Sequence, residues 1–165
     1  MGEDRLSMRI LHDVAASLKF REYLPVYSLR AACGYFGDGD SVEPEGWVKV
    51  DNCGHLDEGM FIVRASGHSM EPKIHDGDLY VMRRYEGGTR SGEIILAQHR
   101  EVHDPDSGGA YSIKRYSSDK VMDGNGQWHH ERITLSPINH GYSPIVIDGN
   151  ENGEFTVLAV LKTVL

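Results

Sequence analysis

The feature that most constrains the fold is a series of short apolar runs that begins at Trp47 and continues to the last residues. These runs are rich in β-branched and aromatic side chains, and clusters of Gly, Asp and Asn separate them, which predicts strands connected by tight turns. The predicted strands cover residues 47–50, 60–66, 78–84, 93–100, 110–116, 132–137, 144–147 and 155–164. We therefore expect a mainly β chain that forms a partly open barrel or sandwich.

The residues before Trp47 have a different pattern. The apolar positions of residues 5–20 recur at helical spacing, which predicts one short amphipathic helix. Residues 21–46 contain Pro and Gly at intervals that interrupt regular structure, and they predict an extended, mobile arm with one strand-like segment at Leu24–Leu29. The predicted division is residues 1–46 for the helix and arm and residues 47–165 for the β-domain.

Composition excludes several classes of function. The net charge of −8 does not suit a stand-alone nucleic-acid binder, and a single helix is too short for a helix-turn-helix, so we expect no sequence-specific DNA binding. Cys33 and Cys53 are too few for a disulfide scaffold, which favours a reducing cytoplasm. The nine histidines lack the spacing of metal ligands, so no metal or cofactor is expected. No apolar run approaches the length of a membrane span.

Ser69 is the first candidate for chemistry. It follows a predicted strand within a sharp turn of small residues, Ser66-Gly67-His68-Ser69-Met70. Such a turn exposes a hydroxyl and leaves nearby backbone N–H groups available to bind an oxyanion. The alternative is that Ser69 only caps the short helical turn that follows it.

Lys114 is the second candidate. Alternation along the strand at 110–116 predicts that Ser112, Lys114 and Tyr116 share one face of the sheet. A lysine in such a position usually extends its amine to the solvent. If the lysine is buried instead, desolvation favours the neutral amine, and a neutral amine can act as the base for a serine hydroxyl.

The two segments together resemble the LexA/UmuD-like Ser/Lys self-cleaving peptidases. Residues 65–78 are similar to the nucleophile region of that family, and Tyr111–Arg115 is similar to its base-bearing strand. Residues 135–145 resemble its C-terminal segment, and Ala31-Ala32-Cys33-Gly34 resembles its cleavage site in the Cys-Gly form of UmuD. These blocks occur in the family's order and span roughly residues 25–165.

The resemblance implies a curled β-sheet domain, like that of LexA and signal peptidases, that dimerises. It implies that Ser69 is the nucleophile, that Lys114 is the general base and that the Ser69 and Met70 amides are the oxyanion donors. It also implies cleavage of the chain's own arm at Cys33–Gly34, in a switch of the SOS or DNA-damage type. The implied partners are a second copy of the chain, a RecA–single-stranded-DNA filament and a translesion polymerase.

The sequence departs from the family pattern in two places. His68 stands where the family usually carries Asp or Asn, and it either tunes the pH response of the site or is a neutral, exposed substitution, which we favour. The segment between Glu93 and Tyr111 is longer than usual, with residues 103–109 as its predicted tip. That tip lies outside the proposed Ser/Lys pair.

Three alternatives to a self-cleaving peptidase remain open. The chain could be a dimerisation and partner-docking module in which cleavage is slow or absent. It could be the peptidase domain of a transcriptional repressor, although no helix-turn-helix is recognised. It could also be one piece of a larger DNA-processing or defence protein.

Overall fold

The computed structural model describes residues 10–37, 42–51, 53–88, 91–99, 111–122, 124–126, 128–147 and 155–165. Within these ranges the chain forms nine strands and one α-helix. The elements in chain order are β1 (Tyr23–Ser28), α1 (Leu29–Gly37), β2 (Gly46–Lys49), β3 (Met60–Arg64), β4 (Leu79–Arg84), β5 (Ile94–His99), β6 (Tyr111–Met122), β7 (Trp128–Ser136), β8 (Ile145–Ile147) and β9 (Phe155–Val164). Each predicted strand run from Trp47 onward corresponds to one of these strands, and the mainly β prediction is confirmed.

The described strands form a single open sheet in the order β2-β1-β3-β4-β9-β5-β6-β7-β8. Neighbouring strands are antiparallel, except that β1 runs parallel to β3. The last strand, β9, lies between β4 and β5 and so joins the two halves of the sheet. β3, which leads to Ser69, and β6, which carries Lys114, therefore belong to different halves.

The sheet is buried on both faces along its central strands. In β3, Phe61 and Val63 belong to the hydrophobic cluster that also contains α1, whereas Met60 and Ile62 belong to a second cluster on the opposite face. A third cluster covers strands β5 to β9. Strands that are buried on both faces need apolar residues at every position, which explains the continuous apolar runs of β3 and β4.

The N-terminal segment differs from the helix predicted for residues 5–20. Residues 10–20 form turns and isolated bridges rather than a helix, and residues 1–9 lie outside the described part of the chain. Leu11 exchanges two backbone hydrogen bonds with Trp47 of β2, at 2.8 and 2.7 Å. The Phe20 ring packs edge-on against the Trp47 ring, and the Lys19 ammonium lies 4.8 Å from that ring's centroid. A short isolated helix is only marginally stable in water, and this segment instead gains stability by pairing with the edge strand β2.

The arm also differs from the prediction, because its short helix lies where the sequence predicts an extended segment. Leu24–Ser28 is extended, as predicted, but Ala31–Gly34 lies within α1. The Ser28 hydroxyl accepts the Ala31 N–H at 3.1 Å and so caps the helix. Leu29, Ala32 and Cys33 follow helical spacing and are buried against the first cluster, which stabilises the helical form.

Candidate active site

The Ser69 segment, residues 65–78, connects β3 to β4 and is called here the nucleophile loop. Its two ends are tied together, because the Ala65 N–H donates to the Asp78 carbonyl at 2.7 Å and the Gly77 N–H donates to the Ala65 carbonyl at 2.9 Å. Gly67 has a φ of 92°, which a side chain would disfavour, and its N–H donates to the Asp76 carboxylate at 2.9 Å. These contacts hold the turn that precedes Ser69 in one conformation.

The structure brings the two candidate residues into direct contact. The Lys114 Nζ donates a hydrogen bond to the Ser69 Oγ over 2.9 Å. Both side chains are buried, with Ser69 2% exposed and Lys114 3% exposed. The Ser69 hydroxyl is therefore engaged by an amine from β6. This arrangement matches an activated nucleophile with an adjacent base.

A shallow pocket opens beside this pair. Its wall combines apolar and polar groups of the nucleophile loop, β4, β6 and the first residue of α1. The lining residues are Leu29, Ala65, Ser66, Gly67, Ser69, Met70, Ile74, Tyr80, Ile113 and Lys114. A pocket of this type suits a small or apolar side chain next to the Ser69 hydroxyl.

The predicted scissile bond does not line this pocket. Leu29 contributes to the pocket wall, whereas Cys33 and Gly34 lie further along α1, with Cys33 buried. Burial raises the pKa of the Tyr80 phenol, and the charge of a nearby Cys33 thiolate would raise it further. The same two causes raise the pKa of Tyr111. Cys33 belongs to the same buried cluster as Tyr80, and Tyr80 itself lines the pocket.

His68, the departure from the family pattern, is exposed to solvent. Its side chain is 57% exposed, and its Nδ1 lies 2.6 Å from a carboxylate oxygen of Glu71. His75 Nδ1 lies 3.8 Å from the same oxygen. His68 thus belongs to a solvent-facing group on the nucleophile loop.

Asn139 is a residue of the site to which sequence reasoning assigned no role. It follows β7, and its side-chain Nδ2 donates to the His68 carbonyl at 3.0 Å. Its backbone N–H donates to the Ser69 carbonyl at 2.9 Å. The signal in the sequence is weak, because an Asn shortly after a Pro is common in turns and does not indicate a contact 70 residues away.

A buried polar pair connects β6, the strand of Lys114, to the neighbouring strand β5. Ser112 and His99 are each 1% exposed, and the Ser112 Oγ lies 2.8 Å from the His99 Nε2. The alternation of side chains along a strand predicts that Ser112 and Lys114 share one face of the sheet. Both side chains are buried in the structure. Their hydrogen bonds satisfy the polar groups that this burial removes from water.

Among the described residues, no group of three or more His, Cys, Asp or Glu side chains could hold a metal ion. In the same part of the chain, no helix is long and apolar enough to cross a membrane.

Comparison with known proteins identifies a family that this chain matches. The family model described as Peptidase S24-like matches residues 25–161, most of the chain. A LexA repressor from Clostridium acetobutylicum is similar to this chain, with 31% identity over 93 residues. That match covers 56% of this chain and 36% of the repressor, so the chain corresponds to well under two thirds of that relative.

Proposed function

Because the chain belongs to the Peptidase S24-like family, a family of serine peptidases, we propose that Ser69 is its nucleophile and Lys114 its general base. The observation that carries this proposal is the buried contact of 2.9 Å between the Lys114 amine and the Ser69 hydroxyl. An amine in that position can accept the hydroxyl proton without the help of a histidine.

The proposed reaction is hydrolysis of a peptide bond in two stages. Neutral Lys114 removes the Ser69 proton as the Ser69 oxygen attacks the scissile carbonyl, and the Ser69 and Met70 amides stabilise the resulting oxyanion. The Lys114 ammonium then returns the proton to the leaving amine as the C–N bond breaks. Water, deprotonated by Lys114, releases the acyl group and regenerates the free Ser69 hydroxyl.

We propose that the substrate is the chain's own Cys33–Gly34 bond. The position of β1 supports this assignment, because its last residue, Ser28, pairs with Arg64 at the end of β3. The end of β1 is already held in the sheet next to the strand that leads to the nucleophile.

This substrate requires α1 to unwind first, because peptidases of this kind bind an extended segment. From Ser28 to Cys33 a helix advances about 7.5 Å and a strand about 17 Å. Unwinding would therefore carry Cys33 roughly 9 Å further along the sheet. The helical form observed here is, in this proposal, the resting state, and the cleavable form is a minor population.

The proposed role is a regulatory switch of the SOS or DNA-damage type. A partner that binds the unwound form more tightly would raise its population and therefore the rate of cleavage. The partners that we propose by resemblance are a RecA–single-stranded-DNA filament as the trigger, a second copy of the chain, and a translesion polymerase that distinguishes the cut form from the intact form.

The experiment that tests the proposal is intact-mass spectrometry of the purified chain after incubation between pH 6 and about 10. We expect two fragments that separate after Cys33. Since only the neutral amine can accept a proton, the rate should rise with pH, by up to about tenfold per unit. A rate that stays flat over this range would contradict the assignment of Lys114 as the base.

The cap of α1 provides a test of the resting state. Ser28→Ala removes the hydroxyl that accepts the Ala31 N–H, and loss of such a cap costs about 1 kcal/mol of helix stability. If unwinding precedes cleavage, the rate of self-cleavage should rise about fivefold. Ser28→Asp, which retains a capping oxygen, should cleave at close to the wild-type rate. The control is Ser143→Ala, which removes an exposed hydroxyl after β7.

A second candidate function is a docking module that is not cleaved or is cleaved slowly. The observation that favours it is the burial of Cys33 within a helix that packs on the main core. An intact chain at every pH, with and without RecA filaments, would support this module and contradict the self-cleaving peptidase.

A further inference from the structure

The loop after β7 holds the nucleophile loop through one residue. Asn139 donates its Nδ2–H to the His68 carbonyl at 3.0 Å and its backbone N–H to the Ser69 carbonyl at 2.9 Å. Its Oδ1 accepts the Gly141 N–H at 2.9 Å, and its carbonyl accepts the Tyr142 N–H at 3.2 Å. Asn139 is thereby fixed within its own turn while it contacts two successive peptide groups beside Ser69.

The two carbonyls that Asn139 contacts belong to specific peptide units. The His68 carbonyl shares its planar peptide group with the Ser69 N–H, and the Ser69 carbonyl shares its group with the Met70 N–H. In a trans peptide the C=O and the N–H point in opposite directions. A donor that binds both carbonyls on one side therefore turns both N–H groups toward the other side.

These N–H groups are the two that we propose as oxyanion donors. Among the hydrogen bonds of the described residues, neither the Ser69 N–H nor the Met70 N–H donates to another backbone carbonyl. Preorganised donors stabilise an oxyanion because they need no reorientation when the charge develops. We propose that Asn139 is a positioning residue that orients the Ser69 and Met70 amides for the tetrahedral intermediate.

The side chain of Asn suits this role because it combines a donor with an acceptor. Nδ2 donates to the nucleophile loop, and Oδ1 accepts from Gly141 and so fixes the orientation of the amide. An Asp at this position can keep the bond from Gly141 but cannot donate to the His68 carbonyl. The substitution Asn139→Asp therefore removes the side-chain contact to the His68 carbonyl, which the Glu71 N–H also contacts at 3.1 Å. It leaves the backbone contact to the Ser69 carbonyl and the turn of residue 139 in place.

This inference rests on the proposed function, and the test compares rates of self-cleavage of the full chain across pH. Asn139→Asp and Asn139→Ala should each lower the plateau rate about 10- to 100-fold, somewhat less than the direct loss of an oxyanion donor. In Asn139→Ala, which adds no charge, the pH profile of the rate should keep its midpoint, because the contact between Lys114 and Ser69 is unchanged. His140→Ala, which alters an exposed side chain of the same turn, should cleave as the wild type does.

The outcomes separate this inference from the function on which it rests. A wild-type plateau rate in Asn139→Asp would overturn the inference alone. A lower plateau with a shifted midpoint in Asn139→Ala would also overturn it, because Asn139 would then act on the Ser69–Lys114 pair rather than on the amides. A wild-type chain that stays intact at every pH, with or without RecA filaments, would overturn the proposed function and this inference together.

Discussion

Ser69→Ala should leave the chain uncut under every condition in which the wild type releases its arm. The substitution removes the attacking oxygen and little else, since the side chain is small and the nucleophile loop is held by backbone contacts. We expect the rate to fall by at least about a thousandfold, to the limit of detection. Intact-mass spectrometry of wild type and variant, incubated side by side, measures this directly.

The same loss is expected when the amine of Lys114 is removed. Lys114→Met retains most of the buried side-chain volume and removes the base, whereas Lys114→Ala also leaves a cavity at a position that is 3% exposed. Both should abolish cleavage, but only Lys114→Ala should lower the unfolding temperature appreciably. The matched control is Lys162→Met, which removes an exposed lysine from β9 and should cleave normally.

Either dyad variant can contradict the assignment. Cleavage after Cys33 at the wild-type rate in Ser69→Ala would require a different nucleophile or a contaminating protease. Persistent cleavage in Lys114→Met would require another base, although the hydrogen bond to the Ser69 hydroxyl comes from the Lys114 amine. A loss of cleavage accompanied by unfolding would be uninformative for Lys114→Ala, which is why Lys114→Met decides the question.

Gly34→Glu should block cleavage for two independent reasons. A long charged side chain directly after the scissile carbonyl is too large to fit beside the nucleophile loop, so the arm cannot bind in the extended form that cleavage requires. In addition, Gly is the poorest helix former after Pro, so replacing it stabilises α1 by about 0.5–1 kcal/mol and disfavours unwinding. We expect no fragments after an incubation that cuts the wild type completely.

Gly34→Ala separates these two reasons. Ala adds a single methyl group but stabilises the helix by about 1 kcal/mol, so it should slow cleavage about fivefold without abolishing it. Gly124→Glu is the control, because a side chain at Gly124 meets no atom within 4 Å. Cleavage of Gly34→Glu at the wild-type rate would show that the cut is made elsewhere, and mapping the fragment masses would identify the true site.

The strands could be predicted from the sequence because their signal is local. The runs at 60–66 and 78–84 are apolar at nearly every position, and turn residues such as Asp76 and Gly77 separate them. Strand alternation also put Ser112, Lys114 and Tyr116 on one face, and the structure buries all three. These patterns depend on residues a few positions apart, whose preferences act before any tertiary contact forms.

The candidate pair could be named from the sequence, but its contact could not. Ser69 and Lys114 are 45 residues apart, and they lie in different halves of the sheet, after β3 and within β6. These halves are joined only because β9 inserts between β4 and β5. The hydrogen bonds of Asn139 to the nucleophile loop likewise join residues that are far apart in the sequence, 71 positions in the case of His68. Contacts of this kind depend on strand order, which local patterns do not encode.

The conformation of the arm was likewise decided by tertiary structure. Gly34 and the nearby Pro and Gly residues predict an extended segment, yet Ser28 caps a helix whose apolar side is buried on the sheet. The free energy of burying Leu29, Ala32 and Cys33 outweighs the weak local preference against helix. The sequence by itself thus determined the strands and the candidate chemistry. Packing decided whether Ser69 and Lys114 come into contact and whether Cys33 and Gly34 adopt a helical conformation. The physical reason is that the free energy of burial exceeds local conformational propensities.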